Sequence, residues 1–258
     1  MNYSAEFTAA LIFVLVASVA WIICKLLKLN VPVMYGRHET GQFRIRIPTR
    51  LSWVLMEAPA AIFFAWFVLA GPLPVTPPVI VIFIMWQLHY CHRAFIYPFQ
   101  LRIRPGSTTP ARMTIFGAII CAAGGYLNGD FISHYATNLQ SNDWFYTPAF
   151  IIGVVLFIVG YIINKASDRT LITLRKSNSD AYSIPYGGFY RWVSCPNYLG
   201  EIMVWIGFSC AAWSIAGITF AFMTAANLIF RAIENHQWYH EKFADYPPER
   251  KAIIPFIL

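Results

Sequence analysis

Apolar runs recur along the chain at lengths close to a bilayer's hydrocarbon thickness: Phe7 to Cys24, Leu51 to Ala70, Val79 to Tyr97, Met113 to Tyr135, Pro148 to Ile163, Tyr198 to Trp213 and Ile215 to Phe230. Each is long enough, or nearly so, to cross a membrane as a helix. The pattern predicts an all-α, polytopic membrane bundle of seven transmembrane helices. Composition agrees, since 58% of the 258 residues are hydrophobic and only 12% are charged, too few to cover a soluble globule.

The basic residues orient this bundle. Lys25, Lys28, Arg37, Arg44, Arg46 and Arg50 follow the first run, and Arg102, Arg104 and Arg112 follow the third. Lys165 to Arg191 follow the fifth, and Lys242, Arg250 and Lys251 the last. The intervening connections, "GPLPVTPP" and "HYATNLQSNDWFY", contain no Lys or Arg. Positive charge collects on the cytosolic side, so the alternation predicts an odd number of spans, with the N-terminus outside and the C-terminus cytosolic. The net charge of +7 therefore needs no nucleic-acid partner. Topology and anionic headgroups account for it, although arginines gathered on one side also suit a phosphorylated ligand. The lysines lie behind the first run, which reads as a retained signal anchor. Five cysteines without a CxxC pair suggest neither a disulfide framework nor a zinc site. With no repeat or linker visible, residues 1–258 read as a single domain.

Polar residues inside the apolar runs carry the candidate chemistry. In "WVLMEAPAAIFF", Glu57 lies roughly 9 Å into the second span at helical rise, and Tyr90 lies at a comparable depth in the third. Asn164, Asp168 and Arg175 share one helix face; Asn197 and Glu201 are one turn apart; Arg231, Asn235 and Tyr239 follow the same rule. Any one such pair is ordinarily a structural ion pair or an interfacial snorkel, but convergence from five segments at one level favours a ligand site. Neither a GxGxxG nor a GxxxxGKS loop is present, which excludes Rossmann and P-loop sites. Arg37, Arg104, Arg175 and Arg231 are the candidate phosphate ligands. His89 and His92 either tune Tyr90 or bridge helices. His236 and His240, spaced i,i+4, suggest a di-iron hydroxylase, but six histidines without HxxHH boxes are too few for the usual histidine-rich version. Trp53 and Trp205 are candidate pocket walls.

The segments "YGRHET", "TRLSWVLMEAP", "LHYCHRAFIYP", "NKASDRTLITLRK", "YSIPYGGFYRWVSCPNYLGEIMVWIG" and "WYHEKFADYPPERKAIIPFIL" resemble the steroid 5α-reductase family over essentially the whole chain. The resemblance implies an NADPH-dependent integral-membrane enzyme that reduces the 4,5 double bond of a 3-oxo-4-ene steroid. It implies a bacterial inner membrane or the endoplasmic reticulum as host, a site open to the cytosol, a steroid arriving from lipid, and no obligate protein partner. It places the catalytic acid and phenol on Glu57 and Tyr90. Cofactor contacts fall on Tyr35, Tyr97, Arg104, Asn164, Asp168, Arg175, Tyr182, Asn197, Glu201, Arg231 and Tyr239. Met56, expected at the substrate, stands where the steroid enzymes often carry Gln.

Hydride addition to C5 pushes charge onto the 3-oxo oxygen, which a buried donor stabilises. Burial of Glu57 among Trp53, Leu55 and Phe63 is expected to favour the neutral acid. The competing readings are a reductase of a 2-enoyl thioester or a polyprenol, a membrane S-adenosylmethionine-dependent methyltransferase, and a lipid transporter, for which an inverted repeat is missing.

Overall fold

The computed structural model describes residues 3–29, 45–175 and 182–258. Among the described residues, six helices are long and apolar enough to span a membrane: α1 (Ala5–Leu26), α2 (Thr49–Ala70), the rod Pro77–Gln100, α5 (Ala111–His134), α6 (Pro148–Leu174) and α8 (Ile215–Lys242). The remaining apolar run forms α7 (Pro196–Ala212), whose 17 residues reach roughly 26 Å at helical rise. The chain is thus a predominantly helical, polytopic membrane protein. Large apolar side chains such as Phe13, Ile62, Trp66, Ile119 and Ile152 face outward and exposed, where lipid rather than water suits them.

Local sequence sets the helix starts. Ser4, Thr76, Thr147 and Ser214 each accept a bond from the amide three residues on, and proline occupies the first turn of four of the described helices. The rod comprises α3 (Pro77–Cys91), a π-turn (His92–Ile96) and α4 (Tyr97–Gln100). Pro98 has no N–H for the carbonyl four residues back, and Tyr97 bonds instead to the carbonyl of His92.

Two helices overrun their apolar runs. α6 continues from Ile163 to Leu174 and α8 from Phe230 to Lys242, because hydropathy marks where lipid ends while the backbone hydrogen bonds continue. A further element without an apolar signature is a two-stranded antiparallel pair, β1 (Arg46–Pro48) with β2 (Thr108–Pro110), which joins the starts of α2 and α5.

The helices alternate in direction. Lys25 of α1 meets Glu234 of α8 at 2.6 Å, and Arg102 beyond α4 donates to the carbonyls of Thr173 and Arg175. Asn197 of α7 reaches Asp168 of α6. These contacts gather the starts of α2, α5 and α7 and the ends of α1, α4, α6 and α8 at one end of the bundle. The opposite end, tied by Leu73 N–H to Ser133 and Ser4 N–H to Tyr135, has no Lys or Arg in its connections 71–76 and 135–147.

Small residues bring two helix pairs into backbone contact. Gly153 and Gly160 on α6 face Gly207 and Gly200 on α7, and a Cβ at any of the four would collide with backbone of the opposite helix. On α5, Gly125 and Gly129 sit equally tightly against the Ala60 and Phe64 carbonyls of α2. Close approach of this kind replaces the hydrophobic drive that lipid cannot supply. Between the pairs lies an aromatic core in which Trp86 stacks on Phe64 at 4.6 Å and touches Trp205, Phe208 and Phe220.

Candidate active site

Glu57 projects from α2 two residues before Pro59, which removes the amide that would close on the Leu55 carbonyl. Its Oε1 lies 3.6 Å from Nη2 of Arg93, and its Oε2 accepts a weak bond from the Cys121 thiol at 3.8 Å. The expected apolar shell is only partly present. Leu55 and Phe63 are 44% and 43% exposed on the outer face of α2, while Trp53 carries the Arg93 guanidinium over its ring at 5.1 Å.

Backbone contact at Gly160 and Gly200 lets short polar side chains on α6 and α7 meet. Nδ2 of Asn164 donates to the Asn197 carbonyl and to Oε2 of Glu201, both at 2.9 Å. Asn197 donates to Asp168 at 3.3 Å, and the other Asp168 oxygen lies 3.8 Å from Nη1 of Arg93. Glu201 also accepts from Trp205 Nε1 at 3.3 Å and meets His89 Nε2 at 3.0 Å. His89 is therefore an interhelical partner, one of the two roles open to it. Tyr90 is buried against Trp86 and Trp205, at 5.1 and 5.4 Å between ring centres.

Beside this network, a cleft of about 370 Å³ separates the π-turn and α4 from α6, lined by His92, Tyr97, Gln100, Lys165, Asp168 and Thr173 among others. Three atoms of its lining residues are buried without a hydrogen-bond partner: His92 Nδ1, Lys165 Nζ and Asp168 Oδ2. Asn164 Oδ1 and His89 Nδ1 are unpaired close by. Buried polar groups are ordinarily satisfied, so this concentration marks a place for a polar ligand.

The remaining candidate positions divide by location. Arg104 and Arg175 are exposed at the rim; Arg102 donates to the Arg175 carbonyl at 3.4 Å. Arg231 lies over the Tyr198 ring at 5.9 Å. Tyr182 packs edge-on against Trp238, and Tyr239 stacks on Tyr246 at 5.1 Å. Tyr190 donates to the Ser167 carbonyl of α6 at 3.3 Å. Burial raises the phenols of Tyr190 and Tyr246 above their ordinary range, so both remain neutral donors. Met56 turns toward α5, its sulfur lying 3.0 Å from where a Cβ on Gly117 would stand. Tyr35 and Arg37 lie outside the described residues. His236 pairs through Nδ1 with Ser194 Oγ at 2.6 Å, and Ser194 in turn bonds Tyr246.

Arg93 and Cys121 contact Glu57, and Lys165 lines the cleft, although none of the three stands out as a site residue in the sequence. Arg93 had a signal: it lies three residues after Tyr90 and four before Tyr97, on their helix face. Near the end of an apolar run, however, an arginine reads as an interfacial snorkel.

Residues 107–258 match the family described as 3-oxo-5-alpha-steroid 4-dehydrogenase. The chain is 40% identical over 225 residues to 3-oxo-5-alpha-steroid 4-dehydrogenase 1 of Macaca fascicularis, covering 86% of this chain and 84% of the relative. It is 39% identical over 226 residues to the Homo sapiens enzyme of the same name, covering 87% and 86%. To steroid 5-alpha-reductase DET2 of Arabidopsis thaliana it is 38% identical over 235 residues, covering 86% and 87%. Identity at this level across most of both partners makes the chain a member of the 3-oxo-5-alpha-steroid 4-dehydrogenase family.

Proposed function

We propose that this chain reduces the 4,5 double bond of a 3-oxo-4-ene steroid to the 5α product, using NADPH. The observation that carries the reading is the continuous chain of contacts from Glu57 through Arg93 to Asp168, Asn197, Asn164 and Glu201, beside a cleft with unsatisfied polar atoms. It is the arrangement expected where a donor acid and a polar cofactor meet at one reacting centre.

NADPH would supply the hydride for C5 of the steroid, and a proton taken up at C4 completes the reduction. The residues present fit it. Asn164 Oδ1 and Asp168 Oδ2 accept no hydrogen bond and can take hydroxyl or amide groups, and Lys165 Nζ has no hydrogen-bond acceptor. Asn164, Asp168, Asn197, Glu201 and Tyr97 would hold the ribose and amide parts. Arg104, Arg175 and Arg231 would take the phosphates, with Tyr182 and Tyr239 completing the enclosure.

On the steroid side, Tyr90 donates to the 3-oxo oxygen, and Glu57 supplements it as a neutral acid. Electrostatics supports that protonation state. Glu57, Asp168 and Glu201 are three carboxyls beside two basic side chains among the described residues, Arg93, which approaches Glu57 and Asp168, and Lys165 on the same helix as Asp168. His89 has no acceptor on Nδ1, so the neutral ring, donating through Nε2, avoids a stranded buried N–H. Two basic groups offset two carboxylates at most, so at least one carboxyl holds a proton when the site is neutral. Glu201 accepts from Asn164, Trp205 and His89, and Asp168 from Asn197, whereas Glu57 has a thiol and a long contact to Arg93. The proton belongs on Glu57. Trp53 and Trp205 wall the steroid and keep water from the developing enolate. The thiol of Cys121 leaves Glu57 free to point its O–H at the substrate.

The same reading places seven spans in the membrane, with α7 the shortest, the N-terminus outside and the basic end in the cytosol. The positive-inside rule supports it, as does the need of a charged cofactor for aqueous access. A hydrophobic steroid enters laterally from lipid.

The test is NADPH oxidation by the purified protein with 3-oxo-4-ene steroids, a 2-enoyl thioester and a polyprenol, with identification of the product. We expect turnover with the steroids and a 5α product. Turnover confined to the thioester or polyprenol would replace the steroid, and methyl transfer from S-adenosylmethionine without NADPH oxidation would replace the reaction.

A further inference from the structure

Arg93 is held from four sides. Its guanidinium lies 3.6 Å from Glu57 on α2 and 3.8 Å from Asp168 on α6, and its central carbon stands 5.1 Å from the ring centres of both Trp53 and Tyr97. It rises from the π-turn, where one extra residue per turn re-aims side chains relative to a continuous α-helix. Only 19% of the side chain is exposed, so this cation is no interfacial snorkel.

The planar fork of an arginine can address two carboxyls at once, and it keeps its charge under all conditions. If Glu57 is the neutral donor, Asp168 is the ionised partner in the guanidinium's ion pair, and the other Nη still fixes the direction of the Glu57 carboxyl. The two carboxyls stand on different helices and serve different ligands in the reading above. One side chain therefore spans the steroid end and the cofactor end of the site.

We propose that Arg93 is a positioning residue that sets the Glu57 carboxyl for donation and ties it to the cofactor stripe at Asp168. The proposal rests on the reading of Glu57 as the donor acid. Arg93 touches neither reacting carbon; it acts through Glu57.

Single-turnover hydride transfer at saturating NADPH and steroid, together with equilibrium NADPH binding, tests this on the full-length protein for wild type, Arg93→Gln, Arg93→Lys, Glu57→Leu and the Arg93→Gln/Glu57→Leu pair. A misplacement of about 1 Å at a reacting group costs on the order of 10²-fold, so Arg93→Gln should slow hydride transfer by about that factor. NADPH affinity should fall far less. Arg93→Lys keeps the charge and loses the fork, so it should remain slow while binding NADPH normally; it carries the test if Arg93→Gln fails to fold. In the Glu57→Leu background, Arg93→Gln should add no further loss, because residues acting through one another are non-additive. Losses that multiply, or wild-type hydride transfer in Arg93→Lys, would overturn the proposal. A wild-type rate for Glu57→Leu alone would instead sink the reading of Glu57.

Discussion

Nδ2 of Asn164 donates to Oε2 of Glu201 at 2.9 Å, from α6 to α7, at a crossing where a Cβ on Gly200 would collide with the Asn164 backbone. Site and packing are therefore one feature on this seam. Gly200→Ala should push the helices apart at Asn164, at the cost of about 1–3 kcal/mol typical of overpacking, and weaken NADPH binding in the same step. Gly153→Ala, seven residues before Gly160 on the same seam and packed on Ala211, should cost similar stability while the folded fraction binds NADPH normally. Thermal melts in detergent paired with binding isotherms separate the two. Equal NADPH affinity in both variants would unlink the glycine contact from the site.

The acid and phenol give a second expectation. Removing an oxyanion-type donor commonly slows a reaction by about 10² to 10³-fold, so Glu57→Leu and Tyr90→Phe should each do so while NADPH still binds. Glu57→Gln keeps an N–H donor and should retain part of the rate. Single-turnover hydride transfer on cofactor-loaded protein is the measurement. Near-normal rates in both Glu57→Leu and Tyr90→Phe would leave the pair a packing role.

The pattern of the sequence located the apolar part of every long helix because hydropathy reports contact with lipid, but it stopped at Ile163 and Phe230 because the continuing turns of α6 and α8 lie among polar residues. Spacing within one helix was legible in part: Asn164 and Asp168 on α6 meet Asn197 and Glu201 on α7, whereas Arg175, the third member of the expected α6 stripe, falls just past the helix end in extended backbone. What spacing cannot give is the neighbour. Leu55 and Phe63 are close to Glu57 along the chain but about 200° and 240° away around the helix, and they face outward. Trp53, one turn before Glu57, stays on its side under Arg93. Met56 faces Gly117 of α5, a contact fixed by helix packing alone. Arg93 escaped because burial, not sequence position, separates a bridging arginine from a snorkelling one.

Cofactor choice follows from the arginines at the polar end. A charge-assisted contact to the 2′-phosphate is worth about 1.5–3 kcal/mol, which corresponds to about tenfold or more in affinity. NADPH should therefore exceed NADH by at least that factor in kcat/KM at limiting cofactor. Raised ionic strength should narrow the difference for the exposed Arg104 and Arg175. Equal turnover with the two cofactors would remove the phosphate from recognition.

The strap that carries Tyr182 is fastened by the C-terminal tail. Lys251 N–H donates to the Trp192 carbonyl, while Ser194 and Cys195 donate to the Lys251 and Ala252 carbonyls. Buried Arg250 donates to the Pro185 carbonyl at 3.0 Å between the rings of Tyr186 and Tyr246. Because Tyr182 and Tyr239 pack at this strap, NADPH binding should tighten it, and hydrogen exchange at residues 182–195 should slow with saturating cofactor. Arg250→Met removes the bond to Pro185 and the charge between the rings but leaves the three backbone bonds. It should speed exchange in the strap and weaken NADPH binding by about tenfold, equivalent to about 1.4 kcal/mol. Hydride transfer at saturation should be unchanged, since Glu57, Tyr90 and Arg93 are untouched. Exchange in the strap that is identical with and without NADPH would show that the tail fastens a segment the cofactor never meets.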